Sequence, residues 1–215
     1  MERFAAVIAI QENERNYFNK LLKNSKPKVY LIDILRTTEF KTQTPSENII
    51  GFIGAKSNHN HQGLKLFLDK HWPEVIKKVP DCRLIIAGAV YDDLANCNIE
   101  NVEFIGRVPT LFDFYNQCKI IINPTQAGSG LKIKSIEALM YGKPLLTTLE
   151  GASGLEKGIN ECIYIGQLGS PIFTQRAIDL LQENIDISLA GQKAIEFIKF
   201  KKNKSIQELS NIISL

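Results

Sequence analysis

No apolar stretch in this sequence approaches the roughly 18 residues that a membrane-spanning helix needs. The runs are short, as at Ala5–Ile10. No charged segment precedes an apolar one in the manner of a secretory leader, so the reading is a soluble, cytoplasmic chain without an export signal. Cysteine is sparse: Cys82, Cys97, Cys118 and Cys162 lie far apart and form no C-x-x-C pair. That fits buried free thiols in a reducing compartment rather than disulfide staples. Charge of one sign is also lacking. With 26 Lys+Arg against 23 Asp+Glu, the net charge of +3 is too near balance for dedicated nucleic-acid binding. There is no Gly-x-Ser-x-Gly elbow and no Gly-x-Gly-x-x-Gly after the first strand, which removes the support for hydrolase and NAD-dependent readings. Internal repeats and low-complexity segments are absent too.

What is present is ordinary globular composition, 44% hydrophobic over 215 residues, enough to bury roughly 70–75% of the surface of the unfolded chain. Short apolar strands alternate with amphipathic helices, the pattern of an α/β protein with a parallel sheet covered on both faces. Ala5–Ile10, a helix opening at Gln11-Glu12-Asn13-Glu14 and Val29–Ile32 form one βαβ unit. Arg36–Glu47, rich in threonine and without apolar periodicity, is the linker. Strands then follow at Ile49–Ile53, Arg83–Ala87 and Val102–Ile105, stopping at Gly54, Gly88 and Gly106, and another at Ile120–Ile122 runs into Asn123-Pro124. Because ligands of open α/β sheets sit beyond the carboxyl ends of the strands, these stops mark the functional edge. A helix with apolar spacing from Leu64 to Ile76, a helix Leu111–Cys118, a helix Lys132–Tyr141 with Gly142 just past its end and a strand Pro144–Thr147 complete this region. Three further helices are predicted at Pro171–Glu183, Ile187–Lys201 and Ser205–Ile213.

The richest segment runs from Asn123 to Leu139: a strand end, a glycine-bracketed bend and a helix start. Gly128, Ser129 and Gly130 let backbone N–H groups approach an anion at the positive end of the helix. Lys132 adds a full positive charge at the rim, and Glu137, about one and a half turns into the helix, offers a carboxylate for the vicinal hydroxyls of a ribose. A diphosphate carrying a ribose would satisfy all three. Gly-Ser-Gly before a helix also serves as an ordinary tight turn, and Lys134 with Glu137 at i,i+3 as a surface ion pair.

Pro124 together with Gly128–Pro144 resembles the donor-binding signature of the family-4 (group 1) glycosyltransferases of the GT-B fold. Gly51-Phe52-Ile53-Gly54, Asn60, Phe67–Pro73 and Val79–Gly88 look like the opening of the same domain. Asn101–Val108 with Leu111 and Tyr115 looks like its middle, and Thr147-Thr148 with Gly151–Leu155 like its next loop. The resemblance spans residues 48 to 165 continuously. It implies that 48–215 is a Rossmann-like nucleotide-sugar domain, the C-terminal half of a GT-B fold, and that 1–47 is the closing βαβ segment and linker of an acceptor-side domain otherwise absent.

The resemblance further implies that Glu137 is the second glutamate of the family's Glu-x7-Glu motif. Ser129 stands where the first would be. Ala55 and His61 or Gln62 stand where many members carry Arg and Lys, so Lys56, Lys132 or Lys134 would supply the positive charge. Gly128–Leu131 would cradle the phosphates, Gly54 would lie at the same edge, and Gly106, Arg107 and Val108 would face the base. The expected substrate is a UDP or GDP sugar, handled without cofactor or metal and with retention of anomeric configuration, and the acceptor a glycan or lipid-linked sugar in surface-polysaccharide assembly. The chain alone is expected to transfer no sugar. A sugar-nucleotide epimerase of the same fold and a non-catalytic sugar-nucleotide module are the alternatives.

Other residues carry less. His59 and His61 form an H-x-H pair read as a polar loop, His71 and Trp72 as helix packing, and Asp92, Asp93 and Glu150 as solvated loop carboxylates. Lys199, Lys201, Lys202 and Lys204 read as a solvated helix face, with peripheral contact at the inner face of an anionic membrane as the other reading.

Overall fold

The computed structural model describes residues 5–23, 27–35, 44–90, 98–128 and 130–214. Ser129, Asp92, Asp93, Cys97 and residues 36–43 of the expected linker lie outside them. The first unit is β1 (Ala6–Ala9), α1 (Glu12–Leu21) and β2 (Lys28–Leu31), with β1 and β2 paired in parallel. The second begins with β3 (Ile49–Ile53), α2 (Asn58–Lys70), α3 (Trp72–Lys78), β4 (Arg83–Ala87) and β5 (Val102–Gly106). It continues with α4 (Leu111–Gln117), β6 (Ile120–Asn123), α5 (Ile133–Met140), β7 (Leu145–Thr147), β8 (Ile163–Ile165), α6 (Pro171–Leu181) and α7 (Ile187–Ile213). Its six strands pair in parallel in the order β5-β4-β3-β6-β7-β8. The expected Rossmann-like sheet with a small βαβ element beside it is therefore present.

A parallel sheet buried on both faces needs apolar residues at every strand position, because successive side chains point to opposite sides. Ile50, Phe52, Leu84 and Ile86 enter one core with Phe67 of α2 and Phe173 of α6. Ile49, Ile85, Ile121 and Leu145 enter the other with Phe114 of α4 and Leu139 of α5. Cys82, Cys118 and Cys162 are free and buried, and burial pushes each thiol up to about 12. Among the described residues no helix is long and apolar enough to cross a membrane.

Four elements differ from expectation. The helix placed between Leu64 and Ile76 is two, α2 and α3, the second restarting with Pro73 in its first turn, where a missing N–H costs nothing. His59 and His61 fall in the first turn of α2 rather than in a loop, because Ser57 accepts the N–H of Asn60 and starts the helix early. The strand β8 is three residues long, too short to show a period. The two helices predicted at Ile187–Lys201 and Ser205–Ile213 are one 27-residue helix. Ser205 is buried and serves as a hydrogen-bonding group, so a polar residue interrupts the apolar spacing without interrupting the backbone.

His71, only 2% exposed, joins α2 to the turn after β8. Its Nε2 accepts the Gly169 N–H at 2.9 Å, which leaves Nδ1–H to donate to Thr174 Oγ1 at 2.8 Å. Burial lowers its pKa. The unfolded chain, titrating near the ordinary 6.5, takes up a proton that the folded chain resists, so this contribution is full above about pH 6.5 and is lost as pH falls below it. Thermal melts are expected to drop between pH 7 and pH 5, with a flatter dependence in His71→Gln.

Candidate functional site

Strand order reverses between β3 and β6, so the loops leaving their carboxyl ends diverge and open a crevice. On one side Gly54 ends β3. Its N–H donates to Ala87 O at 3.0 Å and its carbonyl accepts from Val90 N at 3.1 Å. Gly88, at φ +86°, packs so close that a Cβ there would lie 2.3 Å from Gly54 O. On the other side β6 runs into the bend, with Gly128 at φ +121° and Gly130 at φ +81°, conformations that favour glycine. A Cβ on Gly130 would meet nothing within 4 Å, so this part of the bend is open rather than packed over.

A buried polar network holds the bend from below. Asn123 Nδ2 donates to Ser135 Oγ at 2.8 Å, Ser135 Oγ to Gly151 O at 2.8 Å, and Thr147 Oγ1 to Asn123 O at 2.7 Å. Thr148 Oγ1 donates to Thr125 O and accepts from Gly151 N. The network fixes one backbone course in low dielectric, although Asn123 Oδ1 is buried in it without a hydrogen-bond partner among the described residues. Above it, α5 starts without a side-chain cap, as α1 and α3 do, whereas Ser57, Thr110, Ser170 and Asp186 cap α2, α4, α6 and α7. The first N–H groups of a helix have no intrahelical partner and carry its positive end, so this terminus can take an anion.

The two predicted lysines are placed differently. Lys132 folds back on its own bend, donating to Gly128 O at 2.5 Å and pairing with Glu150 Oε1 at 3.0 Å. Glu150, a loop carboxylate with its side chain 40% exposed, has a partner all the same, because the return of β7 beside β6 brings it to a lysine from another loop of the sequence. Lys134 reaches across the crevice, donating to Asn60 Oδ1 with its Nζ 5.1 Å from the centre of the Phe52 ring. Burial first, and the charge of Lys132 second, bring its pKa down to about 8.

Glu137 lies on the side of α5 that borders a cavity of about 310 Å³, shared with Leu111, Leu131, Ile133, Ile136 and Tyr141. Tyr115 donates to Glu137 Oε2 at 3.5 Å. Its ring stacks on Tyr141 with centroids 4.5 Å apart, and burial together with the neighbouring carboxylate raises its pKa. Gly106, the last residue of β5, turns the chain at φ +63°, leaving Arg107 exposed and Val108 half-buried just before Leu111. The structure thus gathers Leu131 and Glu137 at one cavity and places Lys134 and Gly54 at the crevice, whereas Gly106–Val108, Gly128, Gly130 and Lys132 are not among the residues lining that cavity. The signals for Tyr115 and Asn60 in the sequence were only their places in the family likeness. Gly63 had none, because it stands one residue ahead of the apolar spacing that begins at Leu64. A Cβ there would lie 2.0 Å from Pro124 O, so α2 rests directly on the chain leaving β6.

The family model described as glycosyl transferases group 1 matches residues 47–194. A Klebsiella pneumoniae protein known as an uncharacterized 44.6 kDa protein in the cps region is 28% identical over 152 residues, 66% of this chain and 38% of that protein. Among solved structures, a mutant of S. aureus TarM in complex with Fondaparinux, alpha-GlcNAc-glycerol and UDP is 18% identical, with a TM-score of 0.74 over 98% of this chain and 44% of its own. The pneumococcal O-GlcNAc transferase GtfA in complex with UDP and GlcNAc is 15% identical, with a TM-score of 0.70 over 98% and 45%. Anabaena HepE in complex with UDP is 14% identical, with a TM-score of 0.70 over 98% and 64%. These likenesses are of fold, that of a GT-B half-domain with a short βαβ element. The chain spans less than half the length of the Klebsiella protein, of TarM and of GtfA.

Proposed function

Because the chain belongs to the group 1 glycosyl transferases, we propose that it is the donor-binding part of an enzyme moving a sugar from a nucleoside diphosphate, UDP first, to a glycan or lipid-linked acceptor. The observation that carries this reading is the convergence on one cavity of Glu137 with Leu131 and Leu111, which follow the carboxyl ends of β6 and β5. A carboxylate beside apolar walls suits a ribose and base, and the uncapped start of α5 a diphosphate. Residues 48–215 form the donor-binding domain. Residues 1–47 are the closing βαβ segment and linker of the acceptor-side domain, which the longer relatives have the length to hold.

In this reading the backbone of Gly128–Leu131 receives the diphosphate, Glu137 accepts hydrogen bonds from the ribose hydroxyls, and Gly106–Val108 border the base. Lys134 supplies charge from across the crevice, and Lys132 supplies it on exchanging Glu150 for phosphate. As the anomeric carbon leaves, negative charge grows on the diphosphate. Fixed N–H dipoles and an ammonium group in a partly dry site stabilise it without reorganisation. The sugar is passed on with retention of configuration. Ligand-detected NMR with UDP, GDP and their sugars tests the assignment, and failure of every nucleoside diphosphate to bind overturns it.

Lys134 gives a pH signature. With its pKa near 8 in the free protein, an arriving diphosphate favours the protonated form and raises that value. Affinity is then full below about pH 8 and declines above it, by at most about tenfold per pH unit. Calorimetry between pH 7 and pH 9.5 is expected to show proton uptake on binding, and Lys134→Arg, which stays charged, to flatten the profile.

A further inference from the structure

The cavity beside Glu137 has a second wall that belongs to neither the glycine bend nor α5. Asp33, Ile34 and Leu35, the strap leaving β2, form it. An irregular segment at a cavity wall needs its backbone groups satisfied and its course fixed, and α7 does both. Ser205, 1% exposed, accepts the N–H of Asp33 at 3.2 Å and of Ile34 at 3.3 Å, and donates to Asp33 Oδ1 at 2.9 Å. Asp33 Oδ2 pairs with Lys201 Nζ at 2.5 Å, the two side chains 6% and 16% exposed. The same Nζ donates to Gly154 O at 3.0 Å. Gly154, at φ +80°, lies against Leu131, whose Cδ1 would be 3.1 Å from a Cβ there. One ammonium group therefore ties the strap on one side of the cavity to the loop that backs Leu131 on the other.

The geometry points to Lys201 and Ser205 as positioning residues that, by holding Asp33 of the wall, set the width of the nucleotide cavity from outside its lining. This rests on the nucleotide reading of that cavity. The Asp33–Lys201 pair is short, largely buried and charge-assisted, which makes it directional, and Ser205 adds three longer hydrogen bonds that fix the course of the strap. Loosening them frees Ile34 and Leu35 to move relative to Ile133, Ile136 and Leu131. The expected cost falls on the bound nucleotide, because a site loose by a fraction of an ångström forfeits affinity before it forfeits fold.

The test is UDP binding by calorimetry together with methyl NMR of Ile34, Ile133 and Ile136 in Asp33→Asn, Lys201→Met and Ser205→Ala. Each is expected to weaken UDP binding about three- to tenfold, to shift these methyl resonances and to keep one cooperative melt. The Asp33→Asn/Lys201→Met pair is expected to lose no more than the worse single change, since both break one contact. Unchanged UDP affinity beside shifted methyls overturns the proposal, and so do unshifted methyls in all three variants. Absence of UDP binding to the unaltered chain defeats the nucleotide reading instead, and the methyl resonances still decide whether the clamp sets the cavity wall. Ser205→Ala, which leaves no charge unpaired, gives the readout should either charge variant fail to fold.

Discussion

Glu137→Ala is expected to weaken UDP binding about 5- to 150-fold, the equivalent of losing about 1–3 kcal/mol of charged hydrogen bonding to a diol. Glu137 is half-buried, with the Tyr115 hydroxyl 3.5 Å from Oε2 and apolar neighbours on the cavity side. A carboxylate in such surroundings has few competing water contacts, so the upper part of the range applies. Glu137→Gln keeps the volume and one acceptor and is expected to fall between alanine and the unaltered chain. Tyr115→Phe removes one orienting contact while keeping the ring on Tyr141, and its effect should be smaller than either. The fold core does not depend on the carboxylate, so the melting temperature of Glu137→Ala should stay within a few degrees. Unchanged affinity in calorimetry would mean that the ribose lies elsewhere.

Much of this arrangement is legible in the amino-acid sequence. Strands buried on both faces must be apolar throughout, so Ile49–Ile53 and Ile120–Ile122 stand out as runs, and the turn-forming residues that end them, Gly54 and Asn123-Pro124, mark the functional edge. The bend at Gly128–Gly130 and the helix behind it were legible because positive φ and a helix start leave local marks. What stayed hidden depends on distant partners. Lys134 meets Asn60 from 74 positions away, and Asp33 meets Ser205 from 172 positions away; no local pattern encodes either. Lys132 looked like a free rim charge because Glu150 approaches it only once β7 lies beside β6. The continuity of α7 was obscured for the related reason that Ser205 is polar in order to hold the strap.

Gly63→Ala separates local propensity from tertiary packing, because the two predict opposite signs. Within α2, a 13-residue helix, replacing glycine by alanine should by propensity alone stabilise the protein by up to about 1 kcal/mol. The added Cβ, however, would lie 2.0 Å from Pro124 O and 2.9 Å from its carbonyl carbon. Backbone cannot swing aside as a side-chain tip can, so α2 or the chain leaving β6 must shift by about an ångström. Overpacking of this kind costs about 1–3 kcal/mol or more. The steric term wins, and the variant is expected to melt lower by several degrees and to bind UDP more weakly, because Pro124 leads directly into the bend. Gly130→Ala provides the contrast. Nothing lies within 4 Å of its Cβ, so its cost is limited to the left-handed backbone, about 1–2 kcal/mol. A Gly63→Ala protein that melts higher than the unaltered chain would show that α2 stands clear of the loop, and the close contact that fixes one side of the crevice would have to be abandoned.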